Sequence, residues 1–439
     1  MNMPQKYREK FAQLWQRSRR FQIVSSIVAL TLAVLIVLPL RAQQNAPQPV
    51  VLSILIPAPD VAPFPPVIAE FEQQNPGIKI NIVEGPNASN LVEDLYTSAF
   101  LLGDSPYDLL NMDITWVPKF AAAGWLQSIS DILPQSELAQ FLSGDIEGGR
   151  YRGQLYRLPY RTDVGMLYYR SDLLEQAGLK PPETFADLLQ AAQTIQSNHA
   201  AQWGFVWQGR QYEGLSAVFA EVLQGKGGFW INPQTNEVGL DRPEAIDTVK
   251  FLASTIQQGI SPPGVNTYIE EDTRRLFQSG NTLFMRNWPY AWSLLNKDDS
   301  VVRGKVGIKP MIHAPNERSG ACQGGWGLGI SSTTRHLEEA RKAVRFFTSA
   351  DVQKKLALSG AYLPTRRELY TDRELLQRYE YLPVILNILD NPALRPPIAQ
   401  YAQTSDILQR YLNAALSGQI SPEEAMRSAA RETRSLLRA

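Results

Sequence analysis

The chain has 439 residues, 44% of them hydrophobic, so it is long enough for two packed lobes rather than one ordinary core. Its 43 Lys and Arg residues balance 43 Asp and Glu residues, which excludes the strongly basic surface of a protein that binds nucleic acid along its whole length. A single cysteine, Cys322, and three scattered histidines exclude a disulfide framework and disfavour a zinc or histidine-based catalytic site. We therefore expect no cofactor and no metal.

The first 42 residues have the pattern of an export segment. Basic residues dominate positions 1–22, and the run from Ile23 to Leu40 then contains no charge. Such a run is either the core of a signal peptide or a membrane helix just long enough to span, rather than a buried helix of a soluble domain. Ala42 ends a poor cleavage site, because the large Leu40 occupies a position that favours a small residue. We expect residues 1–42 to export the chain to the periplasm, either cleaved or retained as an anchor, with a linker at 43–49.

After the linker, segments with strand and helix patterns alternate. Residues 50–57, 78–85 and 107–113 have the composition of strands, and residues 65–77 have helical spacing. This alternation predicts an α/β fold with a mostly parallel sheet. Asp60 follows the first strand and Asp113 ends the third, so both are expected beside the crevice at the carboxyl ends of the strands. Each could instead cap a helix or form an Asx turn.

The later part of the chain is mostly helical. Residues 181–197 read as a helix capped by Thr184, and residues 241–259 read as a helix with Pro243 near its first turn. The region 336–358 reads as two helices, and the C-terminal residues 405–438 form an amphipathic helical region.

The segment MRNWPYAW, residues 285–292, places two tryptophans, a tyrosine and an arginine within eight residues. Rigid aromatic rings beside polar groups suit a ligand that is half apolar and half polar, such as a sugar ring with its C–H face and its hydroxyls. Trp288 is the residue expected to stack on a pyranose. The alternative is that the three rings are core residues, an alternative that applies most strongly to Trp292.

Six ordered motifs give the chain a specific resemblance. They are VIAEFEQQNPGIKI, NMDITWVPKFAAAGWLQSI, LPYRTDVGMLYYRSDLLEQAGLKPPETFADLLQAAQTIQ, WGFVWQGRQYEGL, GNTLFMRNWPYAW and GGWGLGIS. Together, over residues 50–439, they resemble the extracellular solute-binding proteins of family 1, the maltose-binding-like components of ABC importers, and among these most of all the trehalose/maltose-binding proteins.

The resemblance implies a two-lobed α/β fold, the type II periplasmic-binding-protein fold, with a hinge that the chain crosses three times. We expect the crossings near 159–163, 281–287 and 327–334. The first lobe would then comprise residues 50–160 plus 284–330, and the second lobe 161–283 plus 331–439. Such proteins close around a ligand by bending at the hinge.

The resemblance also implies which residues bind the ligand. By position, they are Asp60, Asp113, Asp163, Glu271, Trp288, Gly325, Trp326, Tyr362 and Arg366. The family usually has Glu where this chain has Asp60, which leaves a larger gap or reaches a different hydroxyl. Glu270 is expected to be the solvated neighbour of Glu271. Whether Tyr212 and Glu213 contact the ligand or pack is left open.

The implied function is capture without chemistry. We expect an α-glucoside of about disaccharide size, such as trehalose, sucrose or glucosylglycerol, delivered to ABC permease subunits with a separate ATPase by a monomeric binding protein. The alternatives are maltose, maltodextrin or another solute on the same fold. A glycoside hydrolase is the rival from another class, because it too would need paired carboxylates near aromatic rings.

Overall fold

The structure is a computed structural model that describes Trp15 and residues 48–103, 105–232, 235–389, 392–393 and 395–438. The predicted export segment, Trp15 apart, and residues 43–47 of the predicted linker lie outside the described residues. Among the residues that are described, no helix is long and apolar enough to cross a membrane.

Strands and helices alternate along the described chain. The strands are β1 (Val50–Pro57), β2 (Ile78–Gly85), β3 (Leu109–Asp113), β4 (Arg150–Tyr151), β5 (Gln154–Leu155), β6 (Leu158–Val164), β7 (Met166–Arg170), β8 (Trp203–Val206), β9 (Thr282–Asn287), β10 (Val306–Pro310) and β11 (Gln323–Ile330). The helices of the first half are α1 (Phe64–Gln74), α2 (Ser89–Leu101), α3 (Val117–Ala122), α4 (Gln135–Leu138), α5 (Ser143–Glu147), α6 (Ser171–Gln176), α7 (Phe185–Ser197) and α8 (Glu213–Gly225). Those of the second half are α9 (Pro243–Gln257), α10 (Glu270–Gln278), α11 (Ala291–Leu295), α12 (Leu337–Phe347), α13 (Ala350–Gly360), α14 (Arg373–Arg378), α15 (Leu382–Leu389), α16 (Tyr401–Leu416) and α17 (Pro422–Arg438).

Helix starts follow the local chemistry of the sequence. The Thr184 hydroxyl accepts the Asp187 amide at 3.1 Å, and the Asp187 carboxylate accepts the Thr184 amide at 2.9 Å. This reciprocal capping box satisfies two amides that the first turn of α7 would leave without partners, and it confirms the predicted cap. Pro243 occupies the first position of α9, where its missing N–H costs nothing.

The first lobe is built on a five-stranded sheet in the order β2-β1-β3-β11-β6. β1 and β3 run parallel, with Ile54 opposite Leu109, whereas β11 is antiparallel to both β3 and β6. The sheet is therefore mixed, and the predicted mostly parallel arrangement is wrong. The reason is that β11 starts where its two neighbours end and so runs in the opposite direction. Trp326 lies opposite Asp113, the last residue of β3, and Gln323 lies opposite Val164, the last residue of β6.

The second lobe is built on a four-stranded sheet in the order β10-β7-β9-β8. The central strand β7 is antiparallel to both β10 and β9, and β8 runs parallel to β9. Helices α7, α8, α9, α16 and α17 cover this lobe, and its core contains large buried side chains such as Trp207, Phe219, Leu252, Phe284 and Leu412.

The chain first passes between the lobes at Gly165, next to the predicted crossing, because β6 ends at Val164 in one sheet and β7 begins at Met166 in the other. It returns through residues 311–322, between β10 and β11, and it leaves the first lobe again after α13. The predicted crossings at 281–287 and 327–334 are wrong, because β9 and β11 each lie within a single sheet.

These passages also correct the predicted composition of the lobes. β9 and β10 belong to the second sheet, so residues 284–310 do not build the first lobe. Helices α12 and α13 pack against β11 and α1, so residues 337–360 belong with the first sheet rather than the second. A strand pattern in a sequence shows that a strand exists but not which sheet it joins, and this explains both errors.

Candidate ligand-binding site

A cavity lies between the two lobes, where β1 and β3 end and where α8 and α10 begin. It contains about 870 Å³ of space not filled by protein atoms, its open mouth included. Among the described residues, six carboxylates and two guanidinium groups line it together with Trp288, Trp326 and Tyr290. The cavity therefore combines aromatic faces with a dense set of hydrogen-bonding groups.

Arg161 joins two carboxylates on the first-lobe side of the cavity. Its Nη1 lies 2.8 Å from Oδ1 of Asp60, and its Nε lies 2.9 Å from Oδ2 of Asp163. Arg161 and Asp163 are two residues apart on β6, so their side chains lie on the same face of the strand. Burial raises the pKa of Asp163 to about 6, although the charge of Arg161 opposes the rise. Both carboxylates keep oxygen lone pairs with which to accept ligand hydroxyls.

Arg395 joins one carboxylate from each lobe. Its Nη1 donates to Glu213 Oε1 at 2.6 Å, and its Nη2 lies 3.4 Å from Oδ1 of Asp113 at the end of β3. The hydroxyl of Ser405 donates to Glu213 Oε2 at 2.6 Å, and the amide of Glu213 donates to Oδ1 of Asn90 in α2 at 2.9 Å. Because these contacts link the two lobes across the cavity, the structure shows a closed arrangement.

The start of α10 supplies two carboxylates from the second lobe. Glu271 accepts from Arg274 and, at 2.9 Å, from the hydroxyl of Tyr290. Burial alone would raise the pKa of Glu271, but the ion pair with Arg274 and the Tyr290 hydrogen bond together hold it below its usual value. Glu270 also lines the cavity, accepting from Tyr212 at 2.6 Å and from the indole Nε1 of Trp288 at 3.2 Å. The expectation that Glu270 is a solvated neighbour is therefore wrong.

Two tryptophans bring aromatic surface to the cavity from different elements. Trp288 follows β9 and is partly exposed to the cavity, and Trp326 lies in β11 with its ring nearly perpendicular to that of Trp116. Gly324 leaves room for the first ring, since a Cβ at that position would lie 3.3 Å from the Trp288 side chain. Gly325 has φ of +140°, a conformation that disfavours any side chain. The backbone of β11 at Gly324 and Gly325 therefore lines the cavity beside the rings of Trp288 and Trp326.

Seven of the nine predicted site residues line this cavity. They are Asp60, Asp113, Asp163, Glu271, Trp288, Gly325 and Trp326. Tyr362 is placed behind the lining: its hydroxyl donates to Asp60 Oδ1 at 3.0 Å, and its ring lies 4.4 Å from the Arg161 guanidinium carbon. Tyr362 therefore does not line the cavity as predicted, and it supports Asp60 instead.

Arg366 does not line the cavity, contrary to its predicted position in the site. Its Nη2 donates to Glu137 at 2.9 Å, its Nε donates to the Thr348 carbonyl at 3.3 Å, and its guanidinium stacks on Phe141 at 3.9 Å. The backbone around residue 366 pairs with Phe141, which turns this side chain toward α4 and away from the cavity.

Several other lining residues were not predicted, among them Arg161, Tyr290 and Arg395, and Glu213 was left open. Arg161 could have been found, because it lies two residues before Asp163 in a strand and so shares its face. Tyr290 lies in the tryptophan segment but carried no separate signal. Arg395 is in an irregular segment without periodicity, so the sequence offered no signal for it. For the pair left open, Glu213 lines the cavity, whereas Tyr212 is buried and packs behind Glu270.

The described residues contain no group of three or more His, Cys, Asp or Glu side chains arranged to hold a metal ion. The site carboxylates are instead paired with Arg161, Arg395 and Arg274 or bonded to hydroxyl and indole groups. Such groups can bind hydroxyls, stack on rings and exclude water.

Comparisons with known proteins agree with this architecture. The family described as bacterial extracellular solute-binding protein matches residues 58–354. The chain is 29% identical over 360 residues to a probable ABC transporter-binding protein of Deinococcus radiodurans, covering 80% of this chain and 85% of that protein.

Solved structures show the same fold. The maltose-bound MalE3 of T. maritima superposes with a TM-score of 0.84 and 36% identity, covering 88% of this chain and all of that chain. A solute-binding protein of Thermotoga lettingae, solved with α-D-tagatose, superposes with a TM-score of 0.81 and 26% identity over 88% of this chain and all of that one. The two-lobed fold predicted from the sequence is confirmed, and the relatives are transport proteins rather than enzymes. The matched span and the shared fold show that the chain belongs to the bacterial extracellular solute-binding protein family.

Proposed function

We propose that this protein is the substrate-binding component of an ABC sugar importer and that its ligand is an α-glucoside of about disaccharide size. The observation that carries the proposal is the interlobe cavity itself, in which Trp288 and Trp326 lie among six carboxylates and two guanidinium groups. The candidates are trehalose, sucrose and glucosylglycerol. Maltose or a maltodextrin is the alternative, and maltose is the ligand named for the MalE3 structure.

The lining fits the chemistry of a sugar ring. An indole covers the C–H face of a pyranose with a large rigid surface at low entropic cost, and carboxylates accept strong hydrogen bonds from hydroxyls. The carboxylates are held by ion pairs, as Asp60 and Asp163 are by Arg161, so they do not have to be ordered when the ligand arrives. Pre-ordered acceptors around an aromatic face favour a small solute with many hydroxyls.

The aromatic lining of the cavity favours a short sugar. A long glucan would need a run of stacking rings along an open groove, whereas the described cavity offers Trp288 and Trp326 as tryptophan faces and is bounded by both lobes. Asp60 affects which second sugar moiety can fit. It is shorter than the Glu usual in the family, so it leaves more room beside Tyr362.

Capture would proceed by bending at the hinge. In the open form the cleft admits the sugar, and in the closed form the contacts of Arg395 and Asn90 with Glu213 bridge the lobes. Closure removes water from the ion pairs and hydrogen bonds, which strengthens them. The closed form would then dock as a monomer on permease subunits driven by a separate ATPase, outside the cytoplasmic membrane, where residues 1–42 direct it.

The test is to identify the ligand directly. Mass spectrometry of small molecules released from the purified protein should detect a hexose-containing disaccharide or glucosyl-polyol. Melting curves should then rise with at least one of trehalose, sucrose, glucosylglycerol and maltose, since a ligand that binds only the native state stabilises it. A rise only with peptides, amino acids or long maltodextrins at millimolar concentration would contradict the proposal, and release of glucose would indicate hydrolysis.

A further inference from the structure

A fully buried ion pair lies directly behind Trp288. Arg286 and Glu221 are both 0% exposed, and the guanidinium binds the carboxylate through two bonds, Nη2 to Oε1 at 2.5 Å and Nε to Oε2 at 2.8 Å. The guanidinium carbon lies 3.9 Å from the centroid of the Trp288 ring. Arg286 does not line the cavity whereas Trp288 does, so this cation covers a part of the indole that a ligand does not reach.

The guanidinium is fixed in its plane by more than the ion pair. Its Nη1 donates to Gln208 Oε1 at 3.1 Å, and Gln208 Nε2 donates to the Arg286 carbonyl at 3.0 Å and to Thr273 at 2.8 Å. Only arginine offers a flat cation that forms a two-bond fork with a carboxylate and also stacks on an aromatic face. The geometry therefore uses properties that lysine lacks.

The same carboxylate touches both of the first two chain passages between the lobes. A Cβ at Gly165 would lie 1.6 Å from Glu221 Oε1, so the first passage packs its bare backbone on this carboxylate. The amide of Cys322, at the end of the second passage, lies 3.4 Å from the same oxygen. Glu221 thus connects the hinge backbone to Arg286, and Arg286 contacts the ring of Trp288.

A purely stabilising role does not account for this arrangement. Burying two charges is costly, and replacing a buried ion pair with packed apolar side chains is often neutral or favourable for stability. We propose that Arg286 is a positioning residue, which holds the Trp288 indole in the orientation that a ring needs for stacking and ties that orientation to the hinge. The proposal rests on the proposed function, in which Trp288 stacks on the sugar.

A double-mutant cycle tests the proposal. Arg286→Lys keeps the charge but loses the flat face and the fork. It should weaken binding of the disaccharide that stabilises the wild type most by about tenfold. In a Trp288→Ala background the same change should cost less than about twofold, because the ring on which Arg286 acts is absent. Affinities are measured by calorimetry, and an equal loss in both backgrounds overturns the proposal.

Arg170→Lys is the matched control. Arg170 is a buried arginine of the neighbouring strand β7, it binds Asp172 through two bonds, and it does not line the cavity. Its replacement should lower the melting temperature and leave the affinity unchanged. If Arg286→Lys does not fold, the double variant Glu221→Met with Arg286→Met removes both charges together and takes its place in the cycle with the same expected result.

A ligand-free measurement separates this inference from the proposed function. Replacing the flat guanidinium that lies on the indole should change tryptophan emission of the free protein in Arg286→Lys, and the change should vanish in the Trp288→Ala background. If the wild type binds no sugar, the proposed function fails, and the emission result then decides the positioning of Trp288 alone. An emission change that persists without Trp288 overturns the inference.

Discussion

The indole Nε1 of Trp288 donates a hydrogen bond of 3.2 Å to Oε1 of Glu270. The ring edge is therefore held by an acid from the start of α10, and the ring remains partly exposed to the cavity. Trp288→Ala should weaken sugar binding by about thirtyfold or more, since truncating a central aromatic anchor typically costs at least about 2 kcal/mol. Calorimetry measures the change, and unfolding should stay cooperative.

Trp292 provides the control for that variant. It lies four residues on, packs against Tyr381 at 5.6 Å between ring centroids, and does not line the cavity. Trp292→Phe should leave the affinity unchanged. Equal affinity losses in the two variants would show that the loss reflects general damage rather than stacking.

Arg395 should control closure as well as affinity. Arg395→Lys cannot bind Asp113 and Glu213 at once with a fork, so it leaves two like charges facing each other across the cleft. We expect weaker ligand binding by at least about tenfold and a larger radius of gyration in X-ray scattering with ligand present.

Arg366→Lys is the comparison, because Arg366 is equally buried but contacts Glu137 and Phe141 instead. It should change stability alone, and an affinity loss there would restore its predicted role in the site.

Asp145 should make stability depend on pH. This carboxyl is fully buried beside Arg157, Thr162, Gln323 and Asp163, and burial raises its pKa to about 7 despite the opposing charge of Arg157. Between about pH 4 and pH 7 the folded protein holds a proton that the unfolded chain has lost, so this contribution to stability decreases as pH rises and is gone above pH 7.

The variant Asp145→Asn removes that contribution. The melting temperature of Asp145→Asn minus that of the wild type should therefore increase from pH 5 to pH 8. A difference that stays constant over this range, measured by calorimetry in matched buffers, would show that Asp145 does not titrate there.

The excess of carboxylates in the cavity should exclude anionic sugars. Six carboxylates face two guanidinium groups among the described lining residues, so a phosphate would meet like charges that cost several kcal/mol. Trehalose 6-phosphate should bind at least about a hundredfold more weakly than trehalose, and the same should hold for any bound disaccharide and its phosphate. Equal melting shifts for the two compounds would contradict this electrostatic selection.

Export is tested by fractionation and N-terminal sequencing. The protein should appear outside the cytoplasmic membrane, either beginning near Gln43 after cleavage or attached to the membrane with residues 23–40 intact. Recovery in the cytosol would contradict both forms of the prediction.

Local chemistry in the sequence determined much of this protein. Strand endings placed Asp60 and Asp113 at the cleft, because side chains at the carboxyl ends of strands meet there. The segment around Trp288 was recognisable because rigid aromatic rings beside polar residues suit a sugar, although Trp292 packs against Tyr381 instead. The helix starts at Thr184 and Pro243 were also readable, since a capping box joins residues three positions apart and proline suits the first position of a helix.

Only the tertiary structure decided which distant residues meet. Arg395 contacts Glu213 and Asp113, 182 and 282 residues earlier in the chain, and no periodic pattern records a contact of that kind. Arg366 was the arginine favoured by position, yet the pairing of its backbone with Phe141 turns it away from the cavity. The sheet that β9 joins, and with it the composition of each lobe, likewise follows from edge-to-edge pairing between distant segments. Burial and long-range pairing are properties of the whole packed chain, whereas sequence patterns report only the next turn of helix or the next pleat of strand.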